Sequence, residues 1–385
     1  MLLFNSLGRK KEKFISLQKN KLTIYICGIT PYDTTHLGHA FLYVFFDVVV
    51  RYFIFKGYRV NYVQNVTDID DDILKKAQEE KKDWRELGDF WTRKFLRDME
   101  SLNVMMPSHY VKATDSIKTI IKINQKLLRK SYAYHKDGNV YFEIKKFKAY
   151  GKLSQLNSNQ MLLISKERGN NPDDPLKKDP LDFVLWQSSK EDEPGWKSPW
   201  GKGRPGWHIE CSAMNLQYLG EKIDIHGGGR DLIYPHHESE IAQSESFTGK
   251  RPFVRFWMHA AMVMYEGEKM SKSLGNLIMV DDLLKKYSSN AIRWVLVSHY
   301  YRQPWEFQME ELDKAERQIH EIKESLKRRN TITKKECIHE IKHLCEIMND
   351  DMNIPKVLRY VIHLAKRNKR EPLRKCLEVL GFQLE

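Results

Sequence analysis

The chain has 385 residues and a formal net charge of +13 at pH 7. That length accommodates one large catalytic domain with a small appendage. Five cysteines in a chain of this size do not make a disulfide framework. There is no signal-peptide pattern and no apolar run of about 18 uncharged residues, so we expect a cytoplasmic protein with no membrane partner. The basic charge suits an anionic partner such as nucleic acid.

The first informative segment runs from a short apolar stretch into a long one. Residues 22–27 form an apolar run rich in β-branched residues, which predicts a strand that ends at Gly28, and residues 37–55 have the length and composition of a helix. A strand, a tight loop and a helix N-terminus form an anion site from backbone N–H groups. Gly38 would allow close approach of a nucleotide, while His36 and His39 can donate to phosphate oxygens.

A second polar loop occurs far downstream, with the sequence EGEKMSKSLGN at residues 266–276. Its bracketing glycines allow it to move, and Lys269 and Lys272 supply two positive charges for a triphosphate. Either loop alone is compatible with an ordinary solvated segment. Their order and separation together resemble the two nucleotide-handling loops of a class I aminoacyl-tRNA synthetase core, and this resemblance implies an enzyme that activates a carboxylate with ATP.

Four residues have side chains that commonly bind metal ions: Cys27, Cys211, His236 and Glu240. His236 and Glu240 are four residues apart, which would place both on one face of a helix. With the thiolates of Cys27 and Cys211 they would complete a tetrahedral zinc site. From spacing alone, ordinary buried cysteines are the default interpretation, since there is no CxxC pair and Cys27 is remote.

The middle and the end of the chain differ in composition. A turn at residues 137–139 predicts entry into a strand at 140–144, and residues 170–175 predict an exposed loop. Residues 314–385 carry 17 Lys or Arg against 11 Asp or Glu, on a pattern of helical period. That pattern predicts an inward-facing stripe made of Ile338, Ile341, Leu344, Cys345 and Met348.

Six runs of sequence resemble cysteinyl-tRNA synthetases and their relative, the mycothiol-biosynthesis cysteine ligase, which joins cysteine to the amine of glucosaminyl-inositol. The resemblance extends from residue 22 to about residue 307. The runs are CGITPYDTTHLGHA (27–40), NVTDIDDDI (65–73), KDPLDFVLW (178–186), SPWGKGRPGWHIECSAM (198–214), DIHGGGRDLIYPHHESEIAQSE (224–245) and GEKMSKSLGN (267–276).

The resemblance implies an α/β fold of the class I synthetase type: a Rossmann-like parallel-sheet catalytic domain with a connecting insertion and a C-terminal helical bundle. We expect four parts in chain order. They are the first catalytic half with HLGH (1–110), the insertion (111–197), the second half with the zinc ligands and KMSKS (198–300), and the helical bundle (301–385), with no anticodon-binding domain evident.

The resemblance also implies roles for individual residues. One zinc ion per chain would bind the substrate thiolate and would itself be held by Cys27, Cys211, His236 and Glu240. The substrate cysteine would contact Cys27, Thr67, Trp207 and His226. ATP, entering with Mg²⁺, would contact Gly38, Gly227, Gly228, Asp231 and Lys272. Catalysis would depend on His36, His39, Lys269 and Lys272.

The implied reaction is ATP-dependent activation of L-cysteine and its transfer to tRNA(Cys), by a monomer. The small-molecule cysteine ligase is the alternative, favoured by the loop at residues 166–169 and by a chain that ends near where synthetases continue into an anticodon domain. Glu240 favours the synthetase, because the mycothiol ligases carry a non-ligand residue there. The intact motifs argue against an inactive RNA-binding paralogue.

Overall fold

The computed structural model describes residues 1–33, 35–191, 193–270, 274–329 and 332–384. Its strands are β1 (Leu2–Asn5), β2 (Lys10–Lys13), β3 (Lys21–Ile29), β4 (Arg59–Val66), β5 (His109–Lys112), β6 (Ala133–Lys136), β7 (Asn139–Phe142), β8 (Phe183–Ser188), β9 (Trp196–Ser198), β10 (Gly201–Pro205), β11 (Ile223–Gly229), β12 (Val254–Ala260), β13 (Val263–Tyr265), β14 (Glu268–Lys269) and β15 (Trp305–Glu306).

The α-helices are α1 (Leu37–Phe55), α2 (Asp71–Glu80), α3 (Trp84–Ser101), α4 (Ile117–Arg129), α5 (Ser158–Glu167), α6 (Trp207–Tyr218), α7 (Glu238–Thr248), α8 (Val280–Leu284), α9 (Ser289–Ser298), α10 (Glu310–Lys327), α11 (Lys334–Met348), α12 (Ile354–Lys366) and α13 (Arg370–Val379). Short 3₁₀ and π turns connect several of them.

The central sheet contains five parallel strands in the order β12-β11-β3-β4-β5. Strands β3, β4 and β5 come from the first half of the chain, whereas β11 and β12 come from the second. The two halves therefore meet where β3 pairs with β11. In an open parallel sheet, the crevice outside the carboxyl ends of the strands at such a switch point is the usual ligand site.

Strand β3 is longer than its apolar run predicts. Gly28 does not end it: the strand continues to Ile29, with a register shift against β4 after Ile26. A side chain at Gly28 is impossible, because a Cβ there would lie 1.5 Å from the carbonyl oxygen of Asn65. The glycine therefore lets the ends of the neighbouring strands β3 and β4 approach each other closely.

Helix α1 follows the first loop and has the bounds predicted from the sequence. Its N-cap is His36, whose Nδ1 accepts a hydrogen bond from the Gly38 N–H at 3.1 Å. By length and composition it is the one helix of the described residues that could cross a membrane, but 72% of that stretch is buried inside the fold. Its charges are internally neutralised, since Asp47 pairs with Arg51 and with the buried Arg293 of α9.

The insertion forms a separate antiparallel sheet with the order β6-β7-β8-β10-β9. The turn predicted at residues 137–139 connects β6 to β7 as a hairpin. Strand β10 belongs to this sheet, so the sheet extends beyond residue 197, where the insertion was predicted to end. The insertion contacts the second catalytic half: the Ser154 N–H donates to Glu238 of α7 at 2.8 Å.

The C-terminal helices α10 to α13 pack against one another and against α9. The predicted inward stripe of α11 is wrong at its start, because Ile338 is 61% exposed. Burial in this helix begins at Leu344 and includes Met348. The start of α11 is instead held by polar contacts, since Glu340 accepts from the Tyr360 hydroxyl and pairs with Lys369, while Ile338 faces solvent.

Candidate active site and metal centre

Three strand ends from both catalytic halves converge at the switch point of the central sheet. Cys27 lies near the end of β3, Thr67 follows β4 directly, and His226 lies in β11 beside β3. All three side chains are buried. Helix α6, the turn Ile233–His237 and helix α7 then contribute further polar groups, so the site is assembled from segments that are distant in sequence.

A cluster of possible metal ligands occupies this position. One ligand atom from each of Cys27, His236, His237 and Glu240 lies within 4.8 Å of the others, and all four residues are buried. The His236 Nε2 is 3.2 Å from Glu240 Oε1, and the Cys27 Sγ is 3.9 Å from the same oxygen. The predicted ligand Cys211 is adjacent, with its Sγ 3.9 Å from that of Cys27. The structure thus places three of the predicted ligands in one cluster with His237, and places the fourth, Cys211, beside Cys27.

Three of the six distances between pairs of the predicted ligands are close to those expected around a tetrahedral ion. With ordinary Zn–S, Zn–N and Zn–O lengths, tetrahedral ligand pairs lie about 3.8 Å (S–S), 3.6 Å (S–O) and 3.3 Å (N–O) apart. The corresponding separations here are 3.9 Å between Cys27 and Cys211, 3.9 Å between Cys27 and Glu240, and 3.2 Å between His236 and Glu240. The mixed sulfur, nitrogen and oxygen set is one that zinc accepts.

His236, the predicted histidine ligand, is held in one orientation and kept neutral by its surroundings. Burial lowers the pKa of His236 well below its ordinary value, so its ring can offer a lone pair. Its Nδ1 lies 3.1 Å from His208 Nδ1, which leaves Nε2 directed towards Glu240. Burial also lowers the pKa of His208 to about 3. A partner on the far ring nitrogen is the usual way in which a ligating histidine is held.

The carboxylate of the cluster is held in the same manner. Glu240 Oε2 lies 3.1 Å from His226 Nε2, while its Oε1 faces the possible metal position. The His226 ring stacks on Trp257 with centroids 4.6 Å apart, which fixes its plane. Trp207, predicted to contact the substrate, lies 4.6 Å from the His236 ring. His226 therefore orients a predicted metal ligand, in addition to the substrate contact predicted for it.

The loop before α1 places two imidazoles at the neighbouring edge of the site. The rings of His36 and His39 stack with centroids 3.8 Å apart. A Cβ at Gly38 would lie 2.9 Å from atoms of the His36 ring, so this glycine is needed for the capping geometry itself. The N-terminus of α1 and the two rings together provide several donors for an anion.

Asp231, predicted to contact ATP, is the meeting point of two cations. Its Oδ2 lies 3.3 Å from the Lys269 Nζ and 3.3 Å from a terminal nitrogen of Arg168. Lys269 begins the KMSKS motif, and Arg168 lies at the end of α5 in the insertion. Lys272 lies outside the described residues. The contacts of Asp231 join the motif loop and the insertion.

Two of the predicted ATP contacts have a packing explanation. Gly227 and Gly228 are buried within β11. A Cβ at Gly227 would lie 2.2 Å from the Phe46 ring of α1, and one at Gly228 would lie 2.9 Å from the His237 ring. Close packing therefore accounts for both glycines, and their contact with a nucleotide stays a prediction.

Three residues of the site were not predicted. His237 has its Nε2 3.3 Å from Cys27 Sγ and its Nδ1 2.8 Å from His259 Nε2. The histidine doublet at 236–237 was a visible signal for it. His208 and Arg168 gave no such signal, because only the fold brings them here.

A cavity of about 590 Å³ lies at the opposite, amino-terminal edge of the sheet, bordered by Lys21, Arg59 and Lys222, and is remote from this cluster.

The parallel sheet, its switch point and the two nucleotide loops define a class I synthetase-type catalytic fold. The structure of a Mycobacterium tuberculosis methionyl-tRNA synthetase in complex with methionyl-adenylate has the same fold, with a TM-score of 0.64 over 94% of this chain and 89% of that one, at 14% identity.

A family model described as the tRNA synthetases class I (C) catalytic domain matches residues 13–317. The chain belongs to this family. A cysteine–tRNA ligase of Dehalococcoides mccartyi is 43% identical over 374 residues, which cover 96% of this chain and 81% of the relative. A cysteine–tRNA ligase of Thermococcus onnurineus is 42% identical, with 98% and 83% covered.

Proposed function

We propose that this protein is an ATP-dependent ligase that activates L-cysteine as cysteinyl-adenylate and transfers it to tRNA(Cys). The observation that carries this proposal is the buried cluster of Cys27, His236 and Glu240 beside the His36–His39 loop. That arrangement puts a thiol-binding group next to an anion-binding loop. Relatives named cysteine–tRNA ligase, which this chain matches over most of their length, support the same reaction.

In the activation step, a carboxylate oxygen of cysteine attacks the α-phosphorus of ATP and pyrophosphate leaves. No general base is needed, because the carboxylate is already ionised. His36 and His39 would donate to the phosphate oxygens as charge develops there, and Lys269 and Lys272 would bind the departing pyrophosphate with Mg²⁺. In the transfer step, a terminal hydroxyl of tRNA attacks the acyl carbon and AMP leaves.

The proposed metal is one zinc ion held by Cys27, Cys211, His236 and Glu240. When bound, zinc would provide a soft Lewis acid that selects a thiol over the hydroxyl of serine. His226 and His208 would hold Glu240 and His236 in position, through the contacts already described. Selection at this stage would remove the need for a separate editing site.

The acceptor is tested by offering radiolabelled cysteine and ATP to the purified protein with either tRNA(Cys) or glucosaminyl-inositol. We expect label on the tRNA alone. Label on glucosaminyl-inositol alone would establish the small-molecule ligase instead. Cysteine-dependent exchange of pyrophosphate into ATP, measured in the same preparation, reports whether activation occurs at all. Sedimentation of the enzyme alone would test the expectation that it is a monomer.

The basic C-terminal helices provide a further test of the tRNA acceptor. Lys366, Arg370 and Arg374 are exposed on α12 and α13, whereas Lys369 forms an ion pair with the largely buried Glu340. Reversing Lys369 would therefore disturb the fold. We expect the triple change of the three exposed residues to glutamate to weaken charging, with a reduced dependence on salt, while pyrophosphate exchange is retained.

The matched control reverses three exposed basic residues of α4, Lys118, Lys122 and Arg129, and should leave charging close to the wild-type value. Equal charging by the triple variant and the wild type across a salt series would exclude this surface from tRNA binding. Equal loss of charging in the control would indicate a general charge effect and would also exclude a specific role for α12 and α13.

A further inference from the structure

The proposed reaction, on which this inference depends, requires that a charged amino acid be held in a buried pocket. Free cysteine carries an α-ammonium group at neutral pH. The metal would take the thiol, and the carboxylate must face ATP. An ammonium group removed from water is costly unless it meets an acceptor, preferably an ionised one. The site should therefore contain a carboxylate that is reserved for it.

Glu210 is placed on the correct surface. It lies in the first turn of α6, three residues after Trp207 and directly before Cys211. Residues separated by three and four positions share one helical face, so Trp207, Glu210 and Cys211 lie on the same side of α6. That side is directed at the metal cluster, since the Trp207 ring lies 4.6 Å from His236 and Cys211 lies 3.9 Å from Cys27.

The Glu210 carboxylate is buried and incompletely bonded. The residue is 1% exposed, and its Oε2 has no hydrogen-bond partner. The side chain of Thr67, predicted to contact the substrate, bonds to the carboxylate. Asp68 and Asp70 are close enough to repel a negative charge on it. A buried acid with a free oxygen among other acids is an arrangement that a cationic group would stabilise.

The neighbouring carboxylates each have partners other than Thr67 or Cys211. Glu240 directs its two oxygens at histidines, and Asp68 accepts from the backbone and the hydroxyl of one threonine. Asp70 caps helix α2, and Glu238 accepts from a backbone amide of the insertion. Of these acids in the described part of the chain, Glu210 is the one beside both Thr67 and Cys211 that has an oxygen left for a ligand.

We propose that Glu210 binds the α-ammonium group of the substrate cysteine and so selects for an α-amino acid among small thiols. The metal and Glu210 would then read two different parts of one substrate. A thiol acid without an amine, such as 3-mercaptopropionate, offers the first contact and lacks the second.

The test compares cysteine with 3-mercaptopropionate by titration calorimetry on the zinc-loaded enzyme, with wild type and Glu210→Gln. Glutamine preserves the shape and removes the charge. We expect Glu210→Gln to weaken cysteine binding by roughly 10- to 100-fold, as for loss of a charged hydrogen bond. Binding of 3-mercaptopropionate should change little, so the preference for cysteine should largely disappear. The loss of preference isolates the contact between Glu210 and the amine.

Glu238→Gln is the matched control, because Glu238 is also buried and also has one oxygen without a partner, but its other oxygen accepts from the Ser154 N–H of the insertion. It should keep the wild-type preference. If Glu210→Gln does not fold, Glu210→Asp keeps the charge at a shorter reach and should lose part of the preference. An unchanged preference in the folded Glu210 variant overturns the inference. If instead the wild type shows no cysteine-dependent pyrophosphate exchange, the proposed function itself fails.

Discussion

Replacement of Cys211 by serine is the most direct test of the metal centre. The change removes one sulfur and leaves the fold of α6 almost unaltered, since the two side chains differ by a single atom. Cys211 is 2% exposed, and its Sγ lies 3.9 Å from Cys27 Sγ and 3.7 Å from the Asn65 side chain. If these two sulfurs share one ion, the serine variant should lose both the ion and its affinity for cysteine.

The size of the effect follows from linkage between binding and folding. An ion present at about 100 times its dissociation constant stabilises the folded chain by about 2.7 kcal/mol. The entropy of unfolding is about 2.1 cal/mol/K per residue, or about 0.8 kcal/mol/K for 385 residues, so one kcal/mol shifts Tm by about 1 °C. We therefore expect a chelator to lower the Tm of the wild type by roughly 3 °C or more, and to have little effect on Cys211→Ser.

The assay is the zinc content of purified protein by mass spectrometry, paired with calorimetric melting with and without a chelator. Wild type should contain about one zinc per chain. Cys337→Ser serves as the control, because Cys337 lies in α11, outside the cluster, and should keep the metal. Full zinc content in Cys211→Ser would refute the proposed set and would favour His237, whose Nε2 is 3.3 Å from Cys27 Sγ, as the fourth ligand.

Three further predictions concern catalysis and stability. His39→Asn should lower cysteine-dependent pyrophosphate exchange by roughly two to three orders of magnitude, the loss typical of one preorganised donor, whereas an unchanged rate would remove His39 from the mechanism. Arg168→Ala should raise KM for ATP in the same assay and leave KM for cysteine unchanged, with exposed Lys166→Ala as its control. Arg293→Met should destabilise the fold by about 3–5 kcal/mol in a denaturant titration, because it leaves Asp47 buried without its main partner; a change below 1 kcal/mol would contradict this.

Local signals in the sequence were sufficient for helix α1 and for the hairpin between β6 and β7. In each case the chemistry of a few adjacent residues decides the outcome. Helix α1 has a capping side chain at His36 and an unbroken apolar run, and the hairpin has Asp137-Gly138 at its turn, both with positive φ. The exact end of α1 at Phe55 follows from the Lys56–Gly57 turn, which cannot extend the apolar face.

Longer-range features escaped sequence reasoning for physical reasons. Gly28 resembles a strand breaker, yet it lies inside β3, because a neighbouring strand passes where its Cβ would be. The stripe beginning at Ile338 has helical period, but burial depends on a covering element that the period does not specify. Arg168 reaches Asp231 across 63 residues, and no local pattern encodes a contact between an insertion and a motif loop.

The metal cluster joins the two halves of the catalytic sheet, and this has an energetic consequence. Cys27 belongs to the first half, whereas Cys211, His236 and Glu240 belong to the second, and β3 and β11 are hydrogen-bonded between them. Neither half contains a complete ligand set, so the ion can bind fully only after both have folded and paired. Zinc would therefore stabilise the pairing of β3 with β11, where cysteine and ATP must meet. Because burial, together with the neighbouring Cys211 and Glu240, raises the pKa of the Cys27 thiol, thiolate ligation there depends on the same ion that holds β3 and β11 together.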